Sequence, residues 1–346
     1  RPVGGVATSN ARTDPAPTAR RDVVVIGGGP AGLSAALVLG RARRSVTVVD
    51  AGTPRNVCSA SLHGFLTRDG ASPEEFLAAA RRDVGRYGVE IVADEVVAVV
   101  GAEVDDAEPS FRVTLAGGRT LEGRRVVAAT GLTDELPAVA GLAERWGRDV
   151  LHCPYCHGYE VRDRRLAVLA GDAEGAVHQA LLLRQWSADV VLLLHEVRPD
   201  GLGDEERALL AARGVPIVAG RVESLVAGPD GVTGVRLADG TEVPCGAVFV
   251  SPRFRVNLGP LAALGVRTVD NDMGSCLETD DEGRTSVPGL WAAGNLADLS
   301  AQVLGSAELG ARAAIGINGE LVLAEARTAA AALAVSAGTG QRSAVQ

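Results

Sequence analysis

Two cysteines separated by two residues carry the densest chemistry in this chain, in the run Leu151-His152-Cys153-Pro154-Tyr155-Cys156-His157-Gly158-Tyr159-Glu160. CxxCH is literally the attachment pattern of a c-type haem. That chemistry needs export and a second axial ligand, and residues 1–20 hold no apolar signal core, nor is a suitable Met evident. Zinc would take both thiolates and a nearby His, but no second CxxC or HxxxH completes four ligands. A redox-active dithiol asks for less: one thiolate to attack, and a second thiol close enough to resolve the mixed disulfide. A two-residue spacer containing Pro holds the sulfurs in range, and a helix start after Cys153 together with a neighbouring imidazolium favours the thiolate. His157 titrates near neutrality, so it could take a proton from an incoming thiol, with Glu160 to orient it. His152 is equally close in sequence and stays open as the base. Cys58, Cys245 and Cys276 read as small buried hydrophobes.

The elements that must position this pair have a parallel α/β pattern, short Val/Ile/Leu runs alternating with Ala-rich stretches. Strands are expected at 22–26, 45–49, 89–93, 125–129, 166–170, 189–194 and 246–250. Helices are expected at 31–43, 73–86, 175–187, 204–213 and 305–325. Segments 96–123 and 221–243 alternate and carry Gly117-Gly118 and Asp239-Gly240 turns, the mark of small antiparallel excursions. Asp22 to Gly32 reads strand, turn and helix. Gly27 permits the tight turn, Gly29 leaves room for a pyrophosphate before Pro30 and Ala31, and Gly32 lets the helix pack on the sheet. The helix amides then face the phosphates, and Asp50 at the next strand end is placed to accept from a ribose. The spacing alone leaves FAD and NAD both open. A weaker strand–Gly-turn–helix recurs at 166–187, so the fold class is α/β with two Rossmann-like dinucleotide-binding domains, the second inserted into the first. The expected division is a disordered leader 1–20, one domain from 21–135 and 265–325, a second from 136–264, and a flexible tail 326–346.

Composition narrows the function. The chain has 346 residues, 43 acidic against 34 basic, and a net charge of −9, which argues against nucleic acid or a polybasic membrane role. Every basic residue apart from His is Arg, so Schiff-base catalysis and a Walker-A lysine are excluded. No apolar run reaches the length of a membrane span; a soluble, cytoplasmic protein is expected.

Val126-Val-Ala-Ala-Thr130-Gly131 and Gly289-Leu-Trp-Ala-Ala-Gly294-Asn295 are two further strand–small-residue turns, the second leading to the long Ala-rich helix. With the first glycine turn and the CxxC, they resemble the FAD domain of the low-molecular-weight thioredoxin reductase group, over about residues 21–325. The resemblance implies FAD as cofactor, a homodimer, and flavin contacts at Asn295 and Gln302; the group has an acid where this chain has Asn295. It also implies that Cys156 faces the flavin while Cys153 exchanges with substrate. The group has an acid after its second Cys, where this chain has His157. Arg55 and Asn56 would line the adenosine end, and His63-Gly64-Phe65-Leu66 either approaches the flavin or packs. Trp146, Tyr155 and Tyr159 either wall a substrate pocket or pack.

A pyridine-nucleotide reductase needs a second full glycine turn followed by an Arg pair. Here only Gly171 and Gly175 survive, read with one inserted residue, and Asp172 and Glu174 bring carboxylates toward the phosphate position. The following strand ends in Glu196, which would still suit an NADH ribose. With nicotinamide disfavoured, electrons would enter through the cysteines. The CPYCH motif and the decayed second turn resemble the dithiol oxidase branch of this fold, the gliotoxin, holomycin and romidepsin type. That likeness implies a small-molecule dithiol substrate, electron transfer to FAD and then to O2, and H2O2 as product. The alternative is an NAD(P)H-dependent thioredoxin-like disulfide reductase, and a redox sensor without turnover also stays open.

Overall fold

Continuous apolar strands such as Val23–Ile26 are buried on both faces, which requires cover on each side of the sheet. In the computed structural model, which describes residues 20–101, 108–271 and 273–343, that cover is asymmetric. Val23 and Val25 pack with the helices Pro30–Arg41, Pro73–Gly85 and Val303–Ser343 on one face. Val24 and Ile26 point to the other face, against the antiparallel excursion and the turn Gly259–Leu264. The expected leader lies, Arg20 apart, outside the described residues, as do 344–346 at the end of the expected tail.

The first sheet runs Glu90–Ala93, Val46–Asp50, Arg21–Ile26, Thr120–Ala128, Phe111–Leu115 and Val96–Gly101, with Leu290–Ala292 added beside Thr120–Ala128. Its first four strands and the added one are parallel, and the last two pair antiparallel. The second sheet is wholly parallel: Ile217–Val218, Val190–Leu193, Leu166–Leu169, Ala247–Val250 and Val150–Leu151. Its strands all fall in sequence between Thr120–Ala128 and Leu290–Ala292, which are neighbours in the first sheet. The expected excursion at 221–243 is the three-stranded antiparallel sheet Val222–Gly228, Gly231–Leu237, Glu242–Pro244.

Two features differ from the sequence reading. The chain passes between the two parallel sheets on a paired ribbon, Leu132–Glu135 antiparallel to Arg253–Val256, extended by Gly274–Leu277 and Thr268–Asn271. These four-residue strands mix polar and apolar types and show no apolar run, so periodicity misses them. The last helix also runs to Ser343 rather than ending at 325. An Ala run from Ala329 continues its propensity, and Glu325 anchors its flank through Arg44 and Arg124, both at 2.6 Å.

The internal repeat is tighter than the sequence suggests. Ile26 and Leu169 end their strands, Gly29 and Asp172 cap the following helices, and Gly32 and Gly175 take the third helical position. All three pairs fall at the same interval in sequence. The second turn therefore has no inserted residue; Ala170 stands for Gly27 and Asp172 for Gly29.

Candidate active site

The order of the first sheet brings the carboxyl ends of Arg21–Ile26, Thr120–Ala128 and Leu290–Ala292 side by side, the edge where open α/β sheets bind ligands. Each of these strands leaves through a small-residue turn. Gly27 has φ +106, and a Cβ there would collide with the Ala129 carbonyl. A Cβ at Gly32 would strike the carbonyl of Gly27. Gly294, at φ +69, sits where a Cβ would come within 2.9 Å of Ala31. At Gly29 a Cβ would meet nothing within 4 Å, and this residue caps the first helix without a side-chain hydrogen bond. The helix amides therefore open onto empty space, a cavity of about 840 Å3, within the size range of cofactor sites.

Of the residues expected at the cofactor, Gly27, Gly29, Pro30, Ala31 and Asp50 line this cavity from the first turn. Arg55, Asn56, Thr130 and Gly131 line it from the neighbouring segments, and Gly294, Asn295 and Gln302 from the last. Gly32 stands behind the wall as a packing contact. Asp50 accepts from the Gly52 amide at 3.1 Å and pairs with Arg81 at 2.7 Å. An uncapped helix start, a glycine with open space before it and an acid at the adjacent strand end fit the pyrophosphate and ribose of a dinucleotide.

Several roles differ from expectation. Arg55 grips Asp134 of the connecting ribbon in a two-pronged pair, at 2.8 and 2.6 Å, and reaches Asn295 Oδ1 at 3.2 Å. Its guanidinium also lies 5.0 Å from the Phe254 ring centre. It thus braces the connecting ribbon from the cavity wall. Asn295 donates its amide protons to carbonyls of the loop that follows, including Ala301 O at 2.8 Å. The Thr130 hydroxyl donates to Asn257 O at 2.8 Å, and Asn257 Nδ2 donates back to Thr130 O at 3.1 Å. Phe254, Asn257 and Arg81 had no motif to announce them.

The cysteine pair enters the same cavity from the second sheet. Val150–Leu151 leads to Cys153, which caps the single-turn helix Pro154–His157. Cys153 and Cys156 are disulfide-bonded, with Cα atoms 5.2 Å apart. Cys153 Sγ accepts from the Cys156 amide at 3.2 Å and from Gln302 Nε2 at 3.7 Å. Gln302, at the start of the long helix, is thereby the physical link between the first-sheet side of the cavity and the sulfurs.

Both candidate bases line the cavity. His152 turns Nδ1 to the Val250 carbonyl at 3.2 Å and stands edge-on to Phe254; burial pushes its pKa down. His157 has Nε2 3.5 Å from Ser59 Oγ. Burial lowers its pKa, Glu160 raises it, and His63 lowers it further. Glu160 itself stands outside the cavity lining, with Oε1 3.4 Å from His63 Nε2. Its direct partner is therefore His63, and it reaches His157 only through space. His63 is on the cavity wall as well.

Cys245 and Cys276 are buried, and burial pushes the Cys245 thiol up to about 12. Cys58 is the correction: it is exposed and lines the cavity. Trp146 lines the cavity too, whereas Tyr155 is exposed edge-on to Trp186 and Tyr159 lies exposed under Arg162.

The second turn is built differently. Asp172 Oδ1 accepts the Gly175 amide at 2.7 Å, so the helix Ala173–Leu183 is capped by its own carboxylate. Glu174 adds a second charge to its first turn. His195, after the next strand, has φ +52 and accepts from the Val222 amide at 3.1 Å. Glu196 beyond it is 70% exposed.

Comparison with known proteins agrees with this layout. The family model for pyridine nucleotide-disulphide oxidoreductases matches residues 21–320. Thioredoxin reductase tcpT of Claviceps purpurea is 34% identical, over 79% of this chain and 86% of its own length. Thioredoxin reductase sirT of Leptosphaeria maculans is 33% identical, over 86% of this chain and 93% of its own. Among solved structures, HlmI superposes with a TM-score of 0.85 at 50% identity, covering 92% of this chain and 97% of that one.

Proposed function

The chain belongs to the pyridine nucleotide-disulphide oxidoreductase family, and on that premise we propose that it is an FAD-dependent dithiol oxidase that closes a disulfide in a small-molecule dithiol. The observation that carries the proposal is that the glycine turn and the Cys153–Cys156 disulfide line one continuous cavity, while the second helix start is occupied by Asp172. The first site fits a bound dinucleotide; the second offers a carboxylate where a phosphate would need amides, and like charges repel in a partly desolvated site.

Each step uses residues on the cavity wall. A substrate thiol gives its proton to His157, whose lowered pKa keeps the imidazole neutral and able to accept it. The thiolate attacks Cys153 Sγ, forming a mixed disulfide and releasing Cys156 as a thiolate. His157 passes that proton to the released Cys156 thiolate and takes the proton of the second substrate thiol, which attacks the substrate sulfur of the mixed disulfide; the product disulfide closes and Cys153 leaves as a thiolate. The substrate has lost two electrons and two protons, and the cysteine pair has gained the two electrons. FAD held along Gly27, Gly29, Asp50, Thr130, Gly294 and Gln302 would supply the sink for that electron pair, with O2 as the final acceptor and H2O2 as the product. Gln302 and the Cys156 amide, both donors to Cys153 Sγ, hold the attacked sulfur in place. We place the enzyme in the cytoplasm as a homodimer; among the described residues, no helix is long and apolar enough to cross a membrane.

The test is anaerobic mixing of the FAD-loaded protein with dithiothreitol, NADH or NADPH in separate runs. Loss of the flavin's visible absorbance with dithiothreitol alone, and peroxide on admitting air, is expected. Rapid bleaching by NADH or NADPH would instead establish the nicotinamide-dependent disulfide reductase, the activity that the names of the relatives tcpT and sirT favour.

A further inference from the structure

His63 shares the cavity wall with the disulfide and His157, yet the steps above give it no part. Its surroundings are built rather than incidental. The Gly64 amide donates to Asp69 Oδ1 at 2.9 Å, and the same oxygen lies 3.3 Å from His63 Nδ1. On the other side of the ring, Nε2 is 2.9 Å from Ser61 Oγ and 3.4 Å from Glu160 Oε1. The imidazole is largely enclosed, while the two carboxylates reach solvent.

Glu160 is the carboxylate that acts on His157, and it lies in ion-pair range of His63, with Oε1 3.4 Å from Nε2. We propose that His63 is a positioning residue that holds Glu160 off His157 and so sets how readily His157 accepts the proton of an incoming thiol. The inference rests on the reading of His157 as the base. The groups facing His157 are Ser59, Glu160 and His63; those facing His63 are Asp69, Ser61, Glu160 and His157. A carboxylate favours a proton on a nearby imidazole, and a second protonated imidazole opposes it. Glu160 therefore supports the His157 imidazolium only as far as His63 leaves it free, and a proton on His63 opposes one on His157 directly. A base held neutral down to lower pH remains ready for a thiol, whereas closer pairing with Glu160 favours the protonated form.

Two substitutions consequently move His157 in opposite directions. In His63→Gln the opposing ring is gone and Glu160 is released, so the His157 titration midpoint rises by about half a pH unit. In Glu160→Gln the supporting charge is gone, and the midpoint falls by a similar amount, about half a unit. The primary measurement is the imidazole NMR titration of the FAD-loaded protein, with the His157 signal identified by its loss in His157→Asn. The second is the pH profile of flavin reduction by dithiothreitol, whose acid limb follows the same shifts. Midpoints that stay put in both variants, or move the same way, overturn the proposal. Glu160 is 40% exposed, so Glu160→Gln carries the test alone should His63→Gln unfold: an unmoved or raised midpoint refutes the idea. Failure of dithiothreitol to reduce the wild-type flavin at any pH would remove the oxidase reading, while the NMR midpoints still decide the role of His63.

Discussion

The two glycine turns of this chain begin from the same strand–turn–helix plan and end as different objects. At the first, the capping residue is Gly29, with no side chain, and the helix amides face a large cavity. At the second, the residue in the same structural position is Asp172, and its carboxylate takes the Gly175 amide for itself. A helix start attracts one negative group. In the first turn that group must come from outside the chain, and in the second the chain provides it. One side chain at the cap therefore separates a cradle for phosphate from a closed joint, with strand, helix and sheet order otherwise preserved.

Under the proposed function electrons enter at the cysteines rather than at the second turn, and the largest effect follows from removing that entry. Cys156→Ser should slow flavin reduction by dithiothreitol by roughly three orders of magnitude or more, read by anaerobic stopped-flow absorbance; retained turnover would break the contrast outright. Next, Gly29→Asp writes the second turn's cap into the first. Because open space surrounds that position, the variant should fold, yet bind FAD at least about 100-fold more weakly, measured by reconstitution of the apoprotein. The mirror change, Asp172→Gly, should leave dithiol-driven reduction intact.

The third glycine of each turn sharpens the comparison on the stability side. A Cβ at Gly32 strikes backbone, whereas one at Gly175 approaches only the Asp172 carboxylate, at 3.0 Å, which can give way. Gly32→Ala should cost about 3 kcal/mol and Gly175→Ala about 1 kcal/mol or less, compared by chemical denaturation. The smallest effect is acid sensitivity. Burial lowers the pKa of His152 and His157 beside the cavity and of His195 behind the second turn. As pH falls below about 6.5 the unfolded chain takes up these protons first, so stability is complete above that pH and declines toward the depressed folded values. Denaturation midpoints should drop between about pH 7.5 and about pH 5.5. His195→Gln should remove only part of that drop, leaving the share of the two cavity histidines.

Much of the fold was legible from local pattern. The run Val23–Ile26 and the glycines behind it specify a buried strand, a turn and a helix from contacts within a few residues, so they read correctly in isolation. The ribbon of Leu132–Glu135 and Arg253–Val256 did not, because each strand is short and stable only through its distant partner. The long helix departs in the other direction: its Ala-rich end reads as a loose tail, and propensity carries it on to Ser343. At the site, the CxxC pair and the first turn are visible in the sequence, and Glu160 reads as a group that orients His157; the structure has it act on His157 through space and adds His63, 3.4 Å from its carboxylate.

By itself the sequence determined the pieces: a thiol pair spaced for a disulfide, one full glycine turn, one impaired turn, and no lysine for other chemistries. Only the tertiary structure decided that Gln302 touches Cys153, that His63 engages Glu160, and that Arg55 clasps Asp134. The reason is physical. A turn or a cap is settled by atoms a few bonds away, but a site is settled by which strand ends become neighbours, and that depends on how two sheets and the ribbon between them pack as a whole.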